Sequence, residues 1–509
     1  MIYYILSLLS LKIHKRRRAV LKYLLGIDFG GGASKATLID EHGNIIATAM
    51  SEYATLYPEQ GACEQSPDSW ISALCENCKE IINKSKINAA DIACIALDSA
   101  THTFVPCDDD FKPLMNAVHW TDTRSKDEAK YLRENFGDEI FEKTFHKPDT
   151  IWTLPQLLWL KKSRPDVFKK MKHIFFEKDY IRYFLTEVFC TDYIEAEGSM
   201  LFDCREMEWS SKLCAIGNID KSILPKVVFP TEIIGYVTKN AAKQSSLAEN
   251  TPVIAGTTDT CMEVFASGAV KKGDITVKLA TAGRICVITD KPYPNRDLVN
   301  YSHIAKGLWY PGTATKSCAA SYRWYRDTFG GDYKTLDDAA EKIPIGCDGM
   351  IYHPYLNGEL SPYADPLLCG SFTGIRATHT RAHFTRAVLE GVCYSLLDSK
   401  SVLDEMNIEY DKIANAIGGG TKGELWRQMT ADVLGITLKT TENSDSSLGS
   451  AMLAGIAVGI FSDPENAVEK CVKQNGITVP IPENTAKYRK AFAEYKKIHD
   501  ALAPIYDAR

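Results

Sequence analysis

Three short glycine-bearing turns and one isolated carboxylate hold the chemistry this sequence could do. The first turn, "DFGGGASK" (28–35), follows an apolar run and sets Asp28 beside Gly30, Gly31 and Gly32. Consecutive glycines expose backbone N–H groups with no Cβ in the way, and such a concave run of donors can cradle phosphate oxygens. The spacing fits neither G-x-x-x-x-G-K-[ST] nor G-x-G-x-x-G, so a merely tight hairpin stands beside the phosphate reading. "LATAGR" (279–284) and "IGGGTKGELW" (417–426) are the second and third turns, each after a strand-like run. The third leads into a helical pattern, where free N–H groups and the helix dipole favour an anion. The carboxylate is Asp259, in "AGTTDTCMEVFA" (255–266). An acid at the edge of a core is costly unless hydrogen-bonded, solvated or used. Read locally, it is the cap of the helix that follows.

These groups need elements to position them. "YLLGIDFG", "ASKATLIDE" and "NIIATAMSEY" read as three strands, and their short connections make them an antiparallel meander. A helix over 67–83 leads to the strand "IACIALDS" (92–99), which the helical crossover makes parallel to its sheet neighbour. The second half repeats the plan. "GDITVKLATAG", "RICVITD" and "GLWYPGTAT" supply three strands, and "AASYRWYRDTFG" a helix. A long helix over 380–405 follows, then the strand "KIANAIGG" and the helix "GELWRQMTADVLG", which Gly435 stops. "ITLKTT" and the helix "SLGSAMLAGIAVGI" come next. Two α/β halves, each opening on a glycine-tipped hairpin, suggest a structural duplication with the turns facing across an interdomain cleft.

Composition narrows the function classes. At 509 residues the chain exceeds one core. A net charge of −6 with no long basic face argues against a nucleic-acid partner. Fifteen scattered cysteines fit a reducing compartment better than a disulfide framework. Cys75 and Cys78 form a C-x-x-C pair on an amphipathic helix, but no second pair follows at zinc spacing. In "MIYYILSLLSLKIHKRRRAV" the apolar run precedes the basic cluster, the reverse of a secretory signal, and is too short to span a bilayer. Residues 1–21 therefore read as an extension outside the fold, and the protein as cytoplasmic, with no membrane partner. A homodimer is compatible with all of this.

Taken together, the turns and their flanks resemble the FGGY carbohydrate kinases, most closely the xylulokinase branch, over residues 23 to 500. "GIDFGGGASKATLIDEHG" and "DITVKLATAG" are similar to the family's two phosphate motifs, and "NAIGGGTKGELWRQMTADVLG" to its adenosine motif. "PYLNGELSPYADP" (354–366) and "GSFTGIRATHTRAHFTRAVLEGVCYSL" (370–396) resemble its C-terminal signature. The resemblance implies an α/β fold of two actin-like (ribonuclease-H-like) domains with the catalytic cleft between them, divided here as 22–262 and 263–509. It implies ATP and Mg²⁺ as cofactors and a sugar as acceptor, D-xylulose first, with gluconate, ribulose or another polyol as alternatives. It makes Asp259 the base that takes the proton of the attacking hydroxyl, and Asp28 the magnesium ligand. Gly30, Gly31, Gly32 and Lys35 form one phosphate shell, with Thr281, Gly283 and Arg284 opposite. Gly419, Gly420 and Lys422 border the nucleoside. Thr101, His102, Trp120, Asp122, Arg124, Asp259 and Thr260 face the sugar.

Several positions depart from the family pattern. Gly31 and Gly32 stand where two hydroxyl residues are usual, leaving only backbone donors for phosphate. Arg284 replaces a small residue, either reinforcing charge stabilisation or obstructing the loop. Thr260 and Leu360 stand where Asn and Arg are usual in xylulokinases, and "SATHT" is in some respects nearer the gluconokinase pattern. A nucleotide-gated regulator of the same fold without turnover is the alternative from another class. Asp28, Asp259 and all three turns argue for the kinase.

Overall fold

The computed structural model describes residues 21–507, so residues 1–20 of the expected extension lie outside the described part. Strands β1 (Tyr23–Phe29), β2 (Ala33–Asp40) and β3 (Ile45–Glu52) form the antiparallel meander expected from their short connections. Helix α1 (Pro67–Ser85) then crosses to β4 (Ile92–Ser99), which pairs parallel with β1. Strand β5 (Pro252–Ile254) pairs parallel on the far side of β4. The spatial order is thus β3-β2-β1-β4-β5, with an antiparallel edge strand at Ile233–Tyr236. Cys75 and Cys78 lie on the buried side of α1, so their spacing serves packing.

The second sheet repeats this order. Strands β6 (Ile275–Leu279), β7 (Gly283–Val287) and β8 (Gly312–Thr315) make the meander. Strands β9 (Ile413–Ile417) and β10 (Thr437–Thr441) add in parallel, giving β8-β7-β6-β9-β10. Two sheets of one topology, each opening on a glycine-tipped hairpin, are the duplicated α/β architecture of the expected actin-like fold. No helix among the described residues is long and apolar enough to cross a membrane.

The halves share a core. Helix α2 (Ser446–Ala457) comes late in the chain, yet Leu448, Ala451, Met452 and Leu453 pack with Leu24, Ile39, Cys94 and Ala96 of the first sheet. The approach is close enough to need glycine at position 26. A Cβ there would lie 2.0 Å from the Ser447 carbonyl oxygen and 2.3 Å from the Ala451 nitrogen, both backbone atoms that cannot rotate away. Two side-chain hydrogen bonds fix the same contact, Thr37 to Ser447 at 2.8 Å and Ser450 to Asp98 at 2.5 Å.

Gly26→Ala should therefore push strand and helix apart and cost at least about 2 kcal/mol, as overpacking does in a rigid core. A thermal melt checks this: a midpoint within about 1 °C of the parent would show that the contact is soft.

Candidate active site

The parallel pairing of the first sheet places three carboxylates at neighbouring strand ends. Asp28 ends β1 opposite Asp98 of β4, and Thr257 and Thr258 pair with Asp98 and Ser99 on the other side of β4. The next residue is Asp259. Asp98 is wholly buried, and burial with the neighbouring Asp28 charge holds its carboxyl well above the usual range. Its Oδ2 accepts from the Ser450 hydroxyl at 2.5 Å, and its Oδ1 is buried without a hydrogen-bond partner. Burial also raises Asp28, against the lowering effect of its hydrogen bonds with Asp98 and Ser446 and the charge of Lys35.

Asp259 is the first residue of helix α3, used here for Asp259–Ala266. The local expectation that it caps this helix is corrected: the cap is Thr258, whose hydroxyl accepts from the Cys261 amide. A cap needs extended backbone, which Thr258 has, and this leaves the Asp259 carboxyl out of the helix's own bonding. Its hydrogen bonds, from the Thr260 amide at 2.5 Å and the Thr260 hydroxyl at 3.2 Å, both go to Oδ1. Burial, then the Asp28 charge, raises the carboxyl to about 7, while Lys278 pulls it down. Lys278 sits on β6 and is itself paired with Glu263 of α3. Glu177 completes the cluster. It is buried, and burial with the Asp259 and Asp28 charges holds its carboxyl well above the usual range.

The first turn is built to aim peptide groups. Carbonyls of all three glycines are engaged by the protein: Gly30 by the Tyr53 hydroxyl, Gly31 by Thr55 and Gln65, and Gly32 by the Tyr53 amide. None of the three has positive φ, and a Cβ at Gly32 would meet nothing within 4 Å. The protein itself thus leaves the space before Gly32 open. Lys35 reaches across to Asp445 at 3.2 Å.

In the second half a cavity of about 810 Å³ is lined by Ala280, Thr281, Gly419, Gly420, Lys422 and Trp426, among others. The three glycines of the third turn differ in kind. Gly418 has φ +91°, and a Cβ there would strike the Leu279 carbonyl. A Cβ at Gly420 would lie 2.8 Å from the Trp426 ring and 2.9 Å from Leu279. Gly419 meets nothing and opens on the cavity. Gly283, by contrast, is a packing glycine against Thr315 and Leu396.

The expected sugar residues divide. Thr260 stands beside Asp259, as described. His102 is 3% exposed, has φ +69°, and gives Nε2 to the Tyr301 hydroxyl at 2.6 Å. Its ring fills the space a side chain at Gly198 would need, since a Cβ there would fall 1.5 Å from it. Thr101 is half-buried beside it, and Trp120 is exposed. Asp122 and Arg124 are occupied elsewhere. Arg124 binds Asp122, Glu64 and Glu59 and covers the Trp159 ring, and Asp122 also accepts from the Cys63 amide. Sequence reading overlooked Asp98, Glu177, Lys278 and Tyr301. Two of these left a signal: Asp98 ends "IALDS" as Asp28 ends "GIDFG", and Lys278 interrupts the apolar run "ITVKLA".

Comparison with known proteins matches this geometry. Residues 23–266 match the N-terminal domain of the FGGY family of carbohydrate kinases, and residues 277–458 its C-terminal domain. The xylulose kinase of Bacillus subtilis (strain 168) is 31% identical over 486 residues, covering 94% of this chain and 97% of that one. Gluconate kinase from Lactobacillus acidophilus superposes with a TM-score of 0.91 at 28% identity, over 96% of this chain and 99% of that one. Ligand-bound xylulose kinase from the same organism gives 0.91 at 27%, over 96% and 100%. With both domain models matched in order on two duplicated sheets, the chain belongs to the FGGY family of carbohydrate kinases, ATP-dependent phosphotransferases with an alcohol group as acceptor.

Proposed function

We propose that this kinase transfers the γ-phosphoryl group of ATP to a terminal hydroxyl of an open-chain sugar, with Asp259 as the base. The similarity to xylulose kinases supports D-xylulose as acceptor and D-xylulose 5-phosphate as product. The acceptor oxygen bonds to phosphorus, the bond from phosphorus to the ADP oxygen breaks, and the hydroxyl proton passes to Asp259. The observation that carries this reading is the Asp259 carboxyl: raised to about 7, bonded through Oδ1, and one strand end away from Asp28. A base poised near the working pH is what proton abstraction from an alcohol needs.

The open side of Gly419 and the 810 Å³ cavity, with Lys422 on its wall, suit the nucleoside, and Thr281 suits its phosphates. The amides of Gly31 and Gly32, with their carbonyls tied back, serve the transferred phosphate. Asp28 suits Mg²⁺: it offers hard carboxylate oxygen, and its neighbour Asp98 has a buried Oδ1 with no hydrogen-bond partner. When bound there, Mg²⁺ would neutralise charge on the phosphates. The two domains divide at 22–262 and 263–509 in this reading, and free, mostly buried cysteines suit a cytoplasmic enzyme.

Asp259→Asn should lower kcat at least about 100-fold while calorimetric ATP affinity stays within a few-fold, because the base acts on the acceptor alone. Near-parental turnover at saturating sugar would remove Asp259 from this role. The pH profile gives an independent check. Asp259 must be ionised to accept the proton, so kcat/KM should fall about tenfold per pH unit below about 7 and level off above it. Lys278→Met removes a charge that favours ionisation and should move this limb to higher pH. A flat profile between pH 5.5 and 8 (roughly the span over which such a carboxyl titrates) would contradict the assignment.

For the nucleotide, Gly419→Val should keep the melting temperature and weaken ATP binding, whereas Gly420→Val should lower the melting temperature, since only the latter meets protein atoms. Equal loss of stability in both would place Gly419 in the packing instead.

A further inference from the structure

The 810 Å³ cavity carries a carboxylate with one oxygen engaged and one open. Asp337 stands on its wall, half-buried in the helix Tyr333–Ala340. The Tyr322 hydroxyl donates to its Oδ1 at 2.5 Å. Its Oδ2 lies 3.5 Å from where a Cβ on Gly423 would be, and Gly423 lines the same cavity. Among the described residues no cation pairs with Asp337 and no donor reaches Oδ2, since the neighbouring Lys334 is paired with Asp338. An acceptor of this kind is satisfied by any N–H or O–H that enters the cavity beside it, and costs free energy when a ligand covers it without one.

Its surroundings tell which end of a nucleotide meets it. Asp337, Asp338 and Glu341 line one stretch of the wall, and three carboxylates there repel a triphosphate. Thr281, which suits the phosphates, sits instead at the start of the helix Ala319–Phe329, where its carbonyl accepts from the Cys318 and Ala320 amides. Tyr322 follows further along that helix, and aromatic rings gather around it. Its ring centroid lies 5.0 Å from Tyr333 and 5.8 Å from Trp426, and all three residues line the cavity. Ring surface of this kind suits the flat face of a base more than a hydroxylated ribose. The group that approaches Oδ2 is therefore a donor on the edge of the base.

We propose that Asp337 is a specificity-determining residue whose Oδ2 accepts a hydrogen bond from the exocyclic 6-amino group of adenine, so that the kinase selects adenine among purine nucleotides. This rests on the reading of the cavity as the nucleoside site. The Tyr322 hydroxyl fixes the carboxylate through Oδ1 and leaves a single acceptor, which matches a single amino group. Guanine offers N1–H and its 2-amino group side by side, a pair that needs two free carboxylate oxygens, and it carries an oxygen where adenine has its amino group. A purine without a donor at that edge strips Oδ2 of water and leaves it unpaired. A site built to hydrogen-bond a group rejects analogues that lack it.

The test measures calorimetric binding of ATP, purine riboside triphosphate, GTP and the 2′- and 3′-deoxy forms of ATP to the full-length protein. The expected result for the parent is a Kd for ATP at least about tenfold below those for GTP and the purine riboside triphosphate, with both deoxy forms within about threefold of ATP. Asp337→Ala should raise the Kd for ATP to that of the purine riboside triphosphate, which itself should shift by no more than about threefold. Asp337→Asn, which keeps one carbonyl oxygen, should fall between. Tyr322→Phe, which frees Oδ1, should narrow the gap between GTP and ATP at least about threefold. Melting curves separate a lost contact from unfolding, and the parent's own nucleotide series decides the matter where a variant does not fold. Equal affinity of the parent for ATP and the purine riboside triphosphate overturns the proposal and leaves the cavity a nucleoside site. A loss confined to a deoxy form and erased in Asp337→Ala assigns the carboxylate to the ribose, which also overturns it. ATP binding unchanged in both Asp337→Ala and Gly419→Val takes the nucleoside out of this cavity, and the reading of the cavity then falls with the proposal.

Discussion

Crowding of carboxyl groups at the ends of three adjacent strands is the constraint around which the rest is arranged. Two unit charges about 4 Å apart repel by about 4 kcal/mol even at an effective dielectric near 20. The fold cannot hold Asp28, Asp98, Asp259 and Glu177 together as four anions. Burial raises the carboxyls of Asp98 and Glu177 well above the usual range, and the Lys278 charge from the second sheet favours the ionised form of Asp259. Crowding of this kind gives one carboxyl, Asp259, a raised value near neutrality, and burial raises Asp28 against the hydrogen bonds and the Lys35 charge that lower it. The acid–base character of the site is therefore a property of the strand register more than of any one residue.

That register is held from the other half of the chain. Ser450 of α2 bonds the buried Asp98, Ser446 bonds Asp28, and the same helix is pressed on β1 where Gly26 permits it. Lys278 and Arg284 arrive from β6 and β7. The site thus contains groups from both sheets, and α2 fixes one edge of the cleft rigidly to the first sheet.

Much of this was legible in the sequence, and the reasons for what was not are physical. Strand and helix order followed from apolar periodicity and short turns, and the duplication from two glycine-tipped hairpins. The roles of Asp259 and Asp28 came from the family resemblance, since a lone acid before an apolar helix reads locally as a cap. Capping itself was misplaced by one residue, because both Thr258 and Asp259 are capping types and only the backbone angle decides between them. That Arg124 also binds Glu59 and Glu64, some sixty residues earlier, has no local sign. Long-range pairing of this kind has no local pattern to betray it. Nor did the sequence show that Asp98 faces Asp28, which needs the parallel register of β1 and β4.

The glycines show how fold and ligand leave different marks on one residue type. At Gly26, Gly198, Gly283, Gly418 and Gly420 the protein's own atoms, or a positive φ, exclude a side chain, so glycine there is explained without any ligand. At Gly32 and Gly419 nothing within 4 Å excludes one and φ is ordinary, so the fold alone would accept alanine. Glycine that the fold does not require, placed at a turn whose carbonyls are tied back or beside a large cavity, points to something outside the chain that needs the room. By that reasoning packing accounts for Gly26, Gly198, Gly283, Gly418 and Gly420, and the protein's own atoms do not account for Gly32 and Gly419.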